Sequence, residues 1–251
     1  MVIVKNSEQL KLMRRAGRIT GEALLRARDL IRPGVSTAEI DRAIRAYIEG
    51  QGAKPSFLGY NGFPASACIS INSEVIHGIP SKKKILNEGD IVKVDVGAYI
   101  GGYHGDSART FPVGRVSETA ERLIAATRDA FYAGVALARP GNRIGDIGAA
   151  VERTARAAGF STVREFVGHG IGEHLHESPD VPNYGTEGRG CRLYAGMTIA
   201  IEPMVNVGAS KVKVLDDGWT VLTEDGSLSA HYEHTVAILG DETILLTDVG
   251  E

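Results

Sequence analysis

Cysteine is scarce in this sequence: Cys68 and Cys191 are the two in 251 residues. Two cysteines cannot build the disulfide framework of a small secreted domain, and they fit a reducing compartment. Long hydrophobic runs are also missing, because no apolar stretch approaches the roughly 20 residues that span a membrane. The apolar run in "MVIVKNSEQL" is too short for a signal peptide. We therefore expect a cytoplasmic protein without a membrane partner.

Charge of one sign is equally sparse. The chain has 28 lysines and arginines against 31 aspartates and glutamates, for a net charge of −3. Its only run of three basic residues is Lys82–Lys84, which we interpret as a solvated turn. A nucleic-acid-binding protein usually carries a concentrated basic patch, so we expect no direct nucleic-acid specificity.

Two short motifs each occur twice, with the same spacing of 107 residues between the copies. The pairs are "RPGVSTAEI" at 32–40 with "RPGNRIGDI" at 139–147, and "LNEGDIVKVD" at 86–95 with "LYAGMTIAIE" at 193–202. Two different motifs that share one spacing indicate an internal duplication, with units longer than those of a solenoid. We predict a single catalytic domain over 1–251, built from halves at roughly 7–113 and 117–239.

Each half begins with a predicted pair of helices. Ser7 is the expected cap of the first helix, Ser36 and Glu39 form a capping box for the second, Ser117 opens the third, and the fourth spans 144–158. Strand-like segments such as "IVKVDVG" and "MTIAIEPMVNV" follow each pair. This order predicts an α+β fold, with a central antiparallel sheet, helices outside and a pseudo-two-fold relation between the halves.

Four carboxylates stand at strand ends. The segment "VDVGAYIGGYHGDSA" reads as a hairpin, in which the separation of eleven residues can place Asp95 and Asp106 opposite each other on one face. Carboxylates that close need a proton, a cation or solvent between them. Alone, this segment reads as a solvated hairpin. However, Glu202 ends the duplicated strand in apolar surroundings, and Glu233 precedes another apolar strand, so a shared cation becomes the better interpretation.

One histidine joins this set. His169 lies in "FVGHGIGEHLHE", where the flanking glycines at 168, 170 and 172 disfavour a helix. Two aspartates, two glutamates and one imidazole suit hard or borderline divalent ions such as Mn, Fe, Co or Zn. Because carboxylates can bridge, five such ligands suffice for two ions roughly 3.5–4 Å apart, which would activate a water and hold a carbonyl.

Five motifs carry a family resemblance. They are "NGFPASACISINSEVIHGIP", "VDVGAYIGGYHGDSARTF", "GHGIGEHLHESPDVPNYG", "MTIAIEPM" and "HYEHTVAI". In order and spacing they resemble type I methionine aminopeptidases, which have the pita-bread metallopeptidase fold, and the resemblance covers nearly the whole chain. It implies removal of the initiator methionine from nascent proteins when the second residue is small.

The resemblance also implies a role for each site residue. It implies two divalent metal ions (Co, Mn, Fe or Zn) held by Asp95, Asp106, His169, Glu202 and Glu233. Asp106 and Glu233 would bridge the ions. His77 would contact the substrate, His176 would bond the scissile carbonyl oxygen, and Glu202 would carry the proton from water to the leaving amine.

By the same resemblance, an apolar methionine pocket is expected next to the metal site. Its predicted residues are Tyr60, Phe63, Cys68, Leu175 and Trp219. Phe57, Phe63 and Leu175 differ from the residues common at these positions in the family. We therefore expect the shape of the methionine pocket to differ from that of its relatives. Trp219 could equally be a core or rim aromatic.

The remaining histidines receive no functional role. Isolated histidines are more often surface or satisfied core residues than ligands, and we assign His104, His174, His231 and His234 in this way. Two rival functions stay open. A proline-directed peptidase would carry a separate N-terminal domain, whereas the predicted helices here begin near residue 7, and a non-catalytic binding module would have lost ligands. We expect a monomer whose partners are the N-termini of nascent polypeptides, with possible ribosome association.

Overall fold

The helices form two pairs, one in each half of the chain. The structure is a computed structural model that describes residues 2–250. Within this range the four α-helices are α1 (Ser7–Leu30), α2 (Thr37–Gly50), α3 (Glu118–Leu137) and α4 (Ile144–Ala157). All four therefore lie where the sequence predicts them, and α4 ends one residue before its predicted end.

The helix caps explain where the helices begin. Ser36 and Glu39 form the predicted capping box of α2, and Ser117 caps α3. The prediction for α1 is wrong by one residue: its cap is Asn6, whose side chain accepts a hydrogen bond from the backbone N–H of Gln9. Asparagine and serine cap helices about equally well, so the adjacent Asn-Ser pair left the choice to tertiary context.

The strands are mostly short. They are β1 (Lys54–Pro55), β2 (Ala67–Ile71), β3 (Glu74–Ile76), β4 (Ile91–Ile100), β5 (Tyr103–Pro112), β6 (Ser161–Thr162), β7 (Gly168–Gly170), β8 (Glu177–Val181), β9 (Thr198–Ile201), β10 (Met204–Asn206), β11 (Val212–Val214), β12 (Val221–Thr223), β13 (Ser229–His231), β14 (His234–Ile238) and β15 (Thr243–Leu245).

All of these strands pair antiparallel, but in several sheets. Among the described residues, the first half supplies a sheet with the order β1-β4-β2, to which β5 adds on β4, and the second half supplies β15-β14-β9-β7-β8. Two three-stranded sheets, β13-β10-β6 and β11-β12-β3, complete the set, and β12 with β3 joins the two halves. The α+β fold is thus as predicted, with its central sheet divided into parts.

The duplication is visible in the hydrogen bonds. Equivalent contacts recur 107 positions apart: the bridge Ser36–Ile85 recurs as Arg143–Arg192, and the bond from Gly34 N–H to Leu86 O recurs as Gly141 N–H to Leu193 O. Gly34 and Gly141 both adopt a positive φ, of 89° and 97°, which glycine allows without steric cost. The repeated "RPG" motif therefore builds the same turn after the first helix of each half.

Each half buries its own apolar core. In the first half α1 and α2 pack on β4, and Ile44, Leu24 and Val94 are almost fully buried there. In the second half α3 and α4 cover β9 and β14 in the same way. The helix α1 also lies directly on β5, since a Cβ added at Gly105 would come within 2.7 Å of Gly17 Cα. The helices thus cover the outer side, and the strand faces that carry the carboxylates lie between the halves.

Candidate metal centre

The hairpin of β4 and β5 supplies two carboxylates. Its turn is Gly101–Gly102, with φ of 63° and 89°, as a two-residue hairpin of primed type requires. In the resulting register Asp95 pairs with Ala108, and Asp106 pairs with Gly97. The predicted direct pairing of Asp95 with Asp106 is therefore wrong. The turn is centred one position later than predicted, so the partner of Asp95 is two residues further along, at Ala108. The two side chains are diagonal neighbours on the same face, as the odd spacing predicted.

The second half brings Glu202 and Glu233 to that face. Glu202 directly follows β9, and Glu233 lies between β13 and β14. The backbone N–H of Glu233 donates to Ala108 O at 2.8 Å, and the Ser107 hydroxyl donates to Glu233 O at 2.6 Å. These bonds fix Glu233 beside the Asp95–Asp106 hairpin, so carboxylates of both halves converge.

His169 lies on the strand between β9 and β8 in the five-stranded sheet of the second half. It lies in β7, and its Nδ1 is 2.8 Å from Gly170 O, which assigns the ring proton to Nδ1 and the lone pair to Nε2. That Nε2 lies 3.6 Å from Glu202 Oε1 and 3.9 Å from Asp106 Oδ2. A Cβ at Gly168 would lie 2.3 Å from Ala200 O, which explains why glycine precedes the histidine.

Three carboxylates of this cluster each have one buried oxygen without a partner in the described chain. Asp95 Oδ1, Asp106 Oδ1 and Glu233 Oε1 are buried and make no hydrogen bond to any residue in 2–250. The donor atoms of Asp106, His169 and Glu233 all lie within 4.8 Å of one another. Orphaned carboxylate oxygens beside an imidazole lone pair are costly unless a cation satisfies them. The residues present therefore fit a divalent metal site.

The pKa values of these carboxyls and of His169 also indicate a cation site. Burial, with smaller contributions from neighbouring charges, raises the pKa of Asp95 to about 7, and burial raises that of Glu202 to about 8. Burial and the adjacent carboxylates raise the pKa of Asp106 and of Glu233 well above the ordinary range. Burial lowers the pKa of His169 to about 3, which keeps its ring neutral. Without a cation this cluster retains protons, and a bound cation would displace them.

A cavity of about 230 Å³ opens onto these carboxylates. All predicted site residues line it: Tyr60, Phe63, Cys68, His77, Asp95, Asp106, His169, Leu175, His176, Glu202, Trp219 and Glu233. The lining also includes residues without a predicted role, namely Phe57, Asn61, Ile76, Phe166 and Val167. Except for Asn61, these residues are apolar and resemble ordinary core positions in the sequence. Phe166 and Val167 could have been found through their position directly before "GHG".

The cavity wall is aromatic around His77. Trp219 packs edge-on against Phe63, with ring centroids 5.1 Å apart, and its centroid is 6.2 Å from that of His77. Trp219 therefore belongs to the wall of the cavity. His77 has a φ of 58°, a left-handed conformation that non-glycine residues rarely adopt and that is concentrated at functional sites. Burial lowers the pKa of His77 to about 4.

His176 also lines the cavity, next to His169 and Tyr60. Its ring centroid is 4.2 Å from that of His169, and its Nδ1 is 2.7 Å from the Tyr60 hydroxyl. Burial lowers the pKa of His176, so the ring is neutral near pH 7. A neutral imidazole that accepts at Nδ1 presents an N–H at Nε2.

The four histidines without a predicted role lie in different surroundings. His104 Nδ1 is 2.8 Å from Ser56 Oγ, and His234 Nδ1 is 2.6 Å from Thr247 Oγ1, so both have polar partners. His174 is exposed. His231 differs: it is 1% exposed, and neither ring nitrogen has a hydrogen-bond partner among residues 2–250. Its assignment as a satisfied core histidine is therefore wrong.

The fold and this carboxylate–imidazole centre define a metallopeptidase. The sequence profile of metallopeptidase family M24 matches residues 11–239, and the chain belongs to that family. The described helices contain no membrane-spanning candidate, because none within residues 2–250 combines sufficient length with sufficient apolar character.

Within family M24, this chain is similar over its full length to methionine aminopeptidases. The methionine aminopeptidase of Clostridium perfringens is 53% identical over 247 residues, which cover 98% of this chain and 99% of that protein. The crystal structure of the Thermotoga maritima methionine aminopeptidase is 41% identical with a TM-score of 0.97, over 99% of this chain and 100% of that chain. The Pyrococcus furiosus prolidase, at 24% identity and a TM-score of 0.80 over 99% of this chain and 66% of that chain, shares the fold alone. The predicted family and pita-bread fold are confirmed.

Proposed function

We propose that this chain is a metal-dependent methionyl aminopeptidase, which removes the N-terminal methionine of polypeptides whose second residue is small. One observation carries the proposal: four carboxylates and His169 line the same cavity as a group of aromatic and apolar side chains, and the donor atoms of Asp106, His169 and Glu233 lie within 4.8 Å of one another. A cavity of about 230 Å³ suits one side chain rather than a folded partner. The full-length similarity to methionine aminopeptidases supports the same activity.

The methionine side chain would occupy the aromatic part of the cavity. Phe63 and Trp219 form an edge-to-face pair there, and Cys68 and Leu175 are buried beside them. Methionine is unbranched and polarisable, and it makes favourable contacts with aromatic rings. Because Cys68 pairs with Asp95 across β2 and β4, the apolar wall adjoins the carboxylates directly. A bound methionine would therefore place its amine and carbonyl at the metal site.

The proposed ligands are Asp95, Asp106, His169, Glu202 and Glu233. These five residues would hold two divalent ions of the Mn, Fe, Co or Zn type. Bound there, such ions would activate a water molecule and polarise the scissile carbonyl. The carboxylate-rich set favours these ions over a thiolate zinc site.

The other site residues act directly on the substrate. His176 would donate its Nε2–H to the scissile carbonyl oxygen, where negative charge develops, while the Tyr60 hydroxyl donates to Nδ1 and fixes that tautomer. His77 would contact the bound peptide from the other wall. Glu202 would accept the proton of the attacking water as a carboxylate and return it to the leaving amine.

The test is a peptide panel with the metal as a variable. The Mn²⁺-loaded protein should hydrolyse Met-Ala-Ser, and the same protein after chelation should not. Cleavage of Xaa-Pro peptides at an equal rate would replace this proposal with a proline-directed peptidase, whose fold the chain shares. A loaded protein that cleaves neither would instead indicate a binding module.

The cellular setting follows from the proposal. The substrates would be the N-termini of nascent proteins, met in the cytoplasm by a monomer that works near the ribosome. Co-sedimentation with ribosomes and size-exclusion chromatography would test these two points separately from catalysis.

A further inference from the structure

His231 is a buried polar side chain for which the proposed mechanism has no use. It lies outside the cavity lining, it is 1% exposed, and both ring nitrogens lack a hydrogen-bond partner within residues 2–250. Its Nε2 stands 3.5 Å from Glu202 Oε2, just outside hydrogen-bond geometry. An imidazole buried without a partner is costly, so a nearby acceptor that it almost reaches is informative.

Glu202 lies between two imidazoles, one on each carboxylate oxygen. His169 Nε2 is 3.6 Å from Oε1, and His231 Nε2 is 3.5 Å from Oε2. The donor atoms of Glu202, His231 and Glu233 also lie within 4.8 Å of one another. His231 could therefore serve either as a metal ligand or as a donor to Glu202.

The two rings differ in what holds their other nitrogen. His169 Nδ1 donates to Gly170 O, which exposes a lone pair at Nε2, as is usual for metal-ligating histidines. His231 Nδ1 has no such acceptor in the described chain, so nothing forces its proton away from Nε2. The surroundings of His231 thus lack the feature that makes His169 suitable as a ligand.

We propose that His231 is a positioning residue, which donates its Nε2–H to Glu202 Oε2 and so leaves Oε1 for the cation beside His169. This inference rests on the proposed function for the proton-transfer role of Glu202. It adds a residue that acts through Glu202 without touching the substrate.

The backbone of His231 is fixed for this purpose. Its N–H donates to Thr110 Oγ1 at 2.9 Å, and the same hydroxyl donates to His231 O at 2.8 Å. On the other side, His231 pairs with Met204, two residues after Glu202. With both neighbours holding the main chain, a small rotation of the ring closes the 3.5 Å separation to a hydrogen bond.

The test compares a variant that keeps an N–H donor with one that does not. In His231→Leu we expect Mn²⁺ affinity, measured by isothermal titration calorimetry, to fall about 10- to 100-fold. The kcat for Met-Ala-Ser should fall by a similar factor, while KM changes by less than about 3-fold. In His231→Gln the amide can donate to Glu202, and both quantities should stay within about 3-fold of the parent protein. His231→Met gives a second apolar variant if the leucine variant does not fold.

His234→Gln is the matched control, because His234 is also 1% exposed but its ring contacts Thr247. Its Mn²⁺ affinity should equal that of the parent protein. The inference is overturned if a folded apolar variant matches the parent, or if His231→Gln loses a full equivalent of Mn²⁺, which would make His231 a ligand. The titration needs no substrate. A protein that binds Mn²⁺ in the expected order of variants but leaves Met-Ala-Ser intact would therefore refute the proposed function alone.

Discussion

The hydroxyl of Tyr60 lies 2.7 Å from Nδ1 of His176, although 116 positions separate the two residues in the chain. Burial raises the pKa of Tyr60, so the hydroxyl retains its proton and donates to the ring. The ring nitrogen that remains free, Nε2, must then carry the other proton. Tyr60, which the sequence predicts as part of the methionine pocket, thereby determines the tautomer of His176.

We expect Tyr60→Phe to lower kcat for Met-Ala-Ser by about 3- to 10-fold, the effect of one lost hydrogen bond, and to leave KM within about 2-fold. The ring remains for packing, so the loss falls on the transition state. Tyr99→Phe is the matched control, because Tyr99 contacts His104 outside the cavity lining. A larger change in KM than in kcat would show that Tyr60 serves only as pocket wall.

The carboxyl of Glu202 should matter to both catalysis and stability. Glu202→Gln removes the proposed proton carrier, and we expect kcat to fall about 100- to 10,000-fold. It also removes one carboxyl from a crowded buried cluster, so the metal-free variant should unfold at a higher temperature, by about 2–4 °C for each kcal/mol of relief. Steady-state kinetics and thermal denaturation in EDTA measure the two effects. The exposed Glu224→Gln should change neither, and near-normal turnover in Glu202→Gln would exclude the assigned role.

The sequence predicts which residues line this cavity better than it predicts their local geometry. The duplicated strand motif identified Asp95 and Glu202 as equivalent positions, 107 residues apart. The expectation that both end a strand was wrong for Asp95, which lies within β4, whereas Glu202 directly follows β9. The predicted partner of Asp95 in the hairpin was wrong by two residues. Two glycines follow Ile100, and period-2 patterning alone does not fix where the turn is centred.

The error at His231 has a different cause. Its neighbours in the sequence, an alanine and a tyrosine, give it the appearance of an ordinary strand residue. Its position beside Glu202 depends on the pairing of β10 with β13, a contact that joins two distant segments. The hydrophobic pattern within one strand does not predict which distant strand pairs with it. The role of His231 can therefore be inferred only from the structure, in which both ring nitrogens lack a hydrogen-bond partner among residues 2–250.

The glycine before His169 offers a test of how tightly the centre is packed. A Cβ at Gly168 would lie 2.3 Å from the backbone oxygen of Ala200, which cannot yield as a flexible side chain could. We expect Gly168→Ala to cost about 1–3 kcal/mol of unfolding free energy in urea. It should also weaken Mn²⁺ binding, because it displaces His169. Gly50→Ala is the control, since a Cβ there meets nothing within 4 Å, and equal stability of the two variants would contradict the close packing.

The raised carboxyl pKa values predict how the metal-free protein responds to pH. The folded pKa of Asp95 is about 7 against 3.8 for the unconstrained group, and that of Glu202 is about 8 against 4.5. A carboxyl with a raised folded pKa binds its proton more tightly in the folded state. Its contribution to stability is fully present below the unfolded pKa and is lost as pH rises through the folded value.

Buried histidines act in the opposite sense, but only at lower pH. The pKa of His231 is lowered to about 4 from 6.5, so its contribution changes below pH 6.5 and is constant above it. Burial also lowers the pKa of Lys93 to about 7, so this amine opposes the carboxyls within the window. Glu202, Asp106 and Glu233 outnumber it, and between about pH 6.5 and 8.5 the unfolding temperature in EDTA should therefore fall. With saturating Mn²⁺ the fall should be smaller, because the cation replaces the protons. Thermal melts of the same sample in both conditions make the comparison, and a metal-free protein that becomes more stable toward pH 8.5 would show that these carboxyls are not the crowded group described.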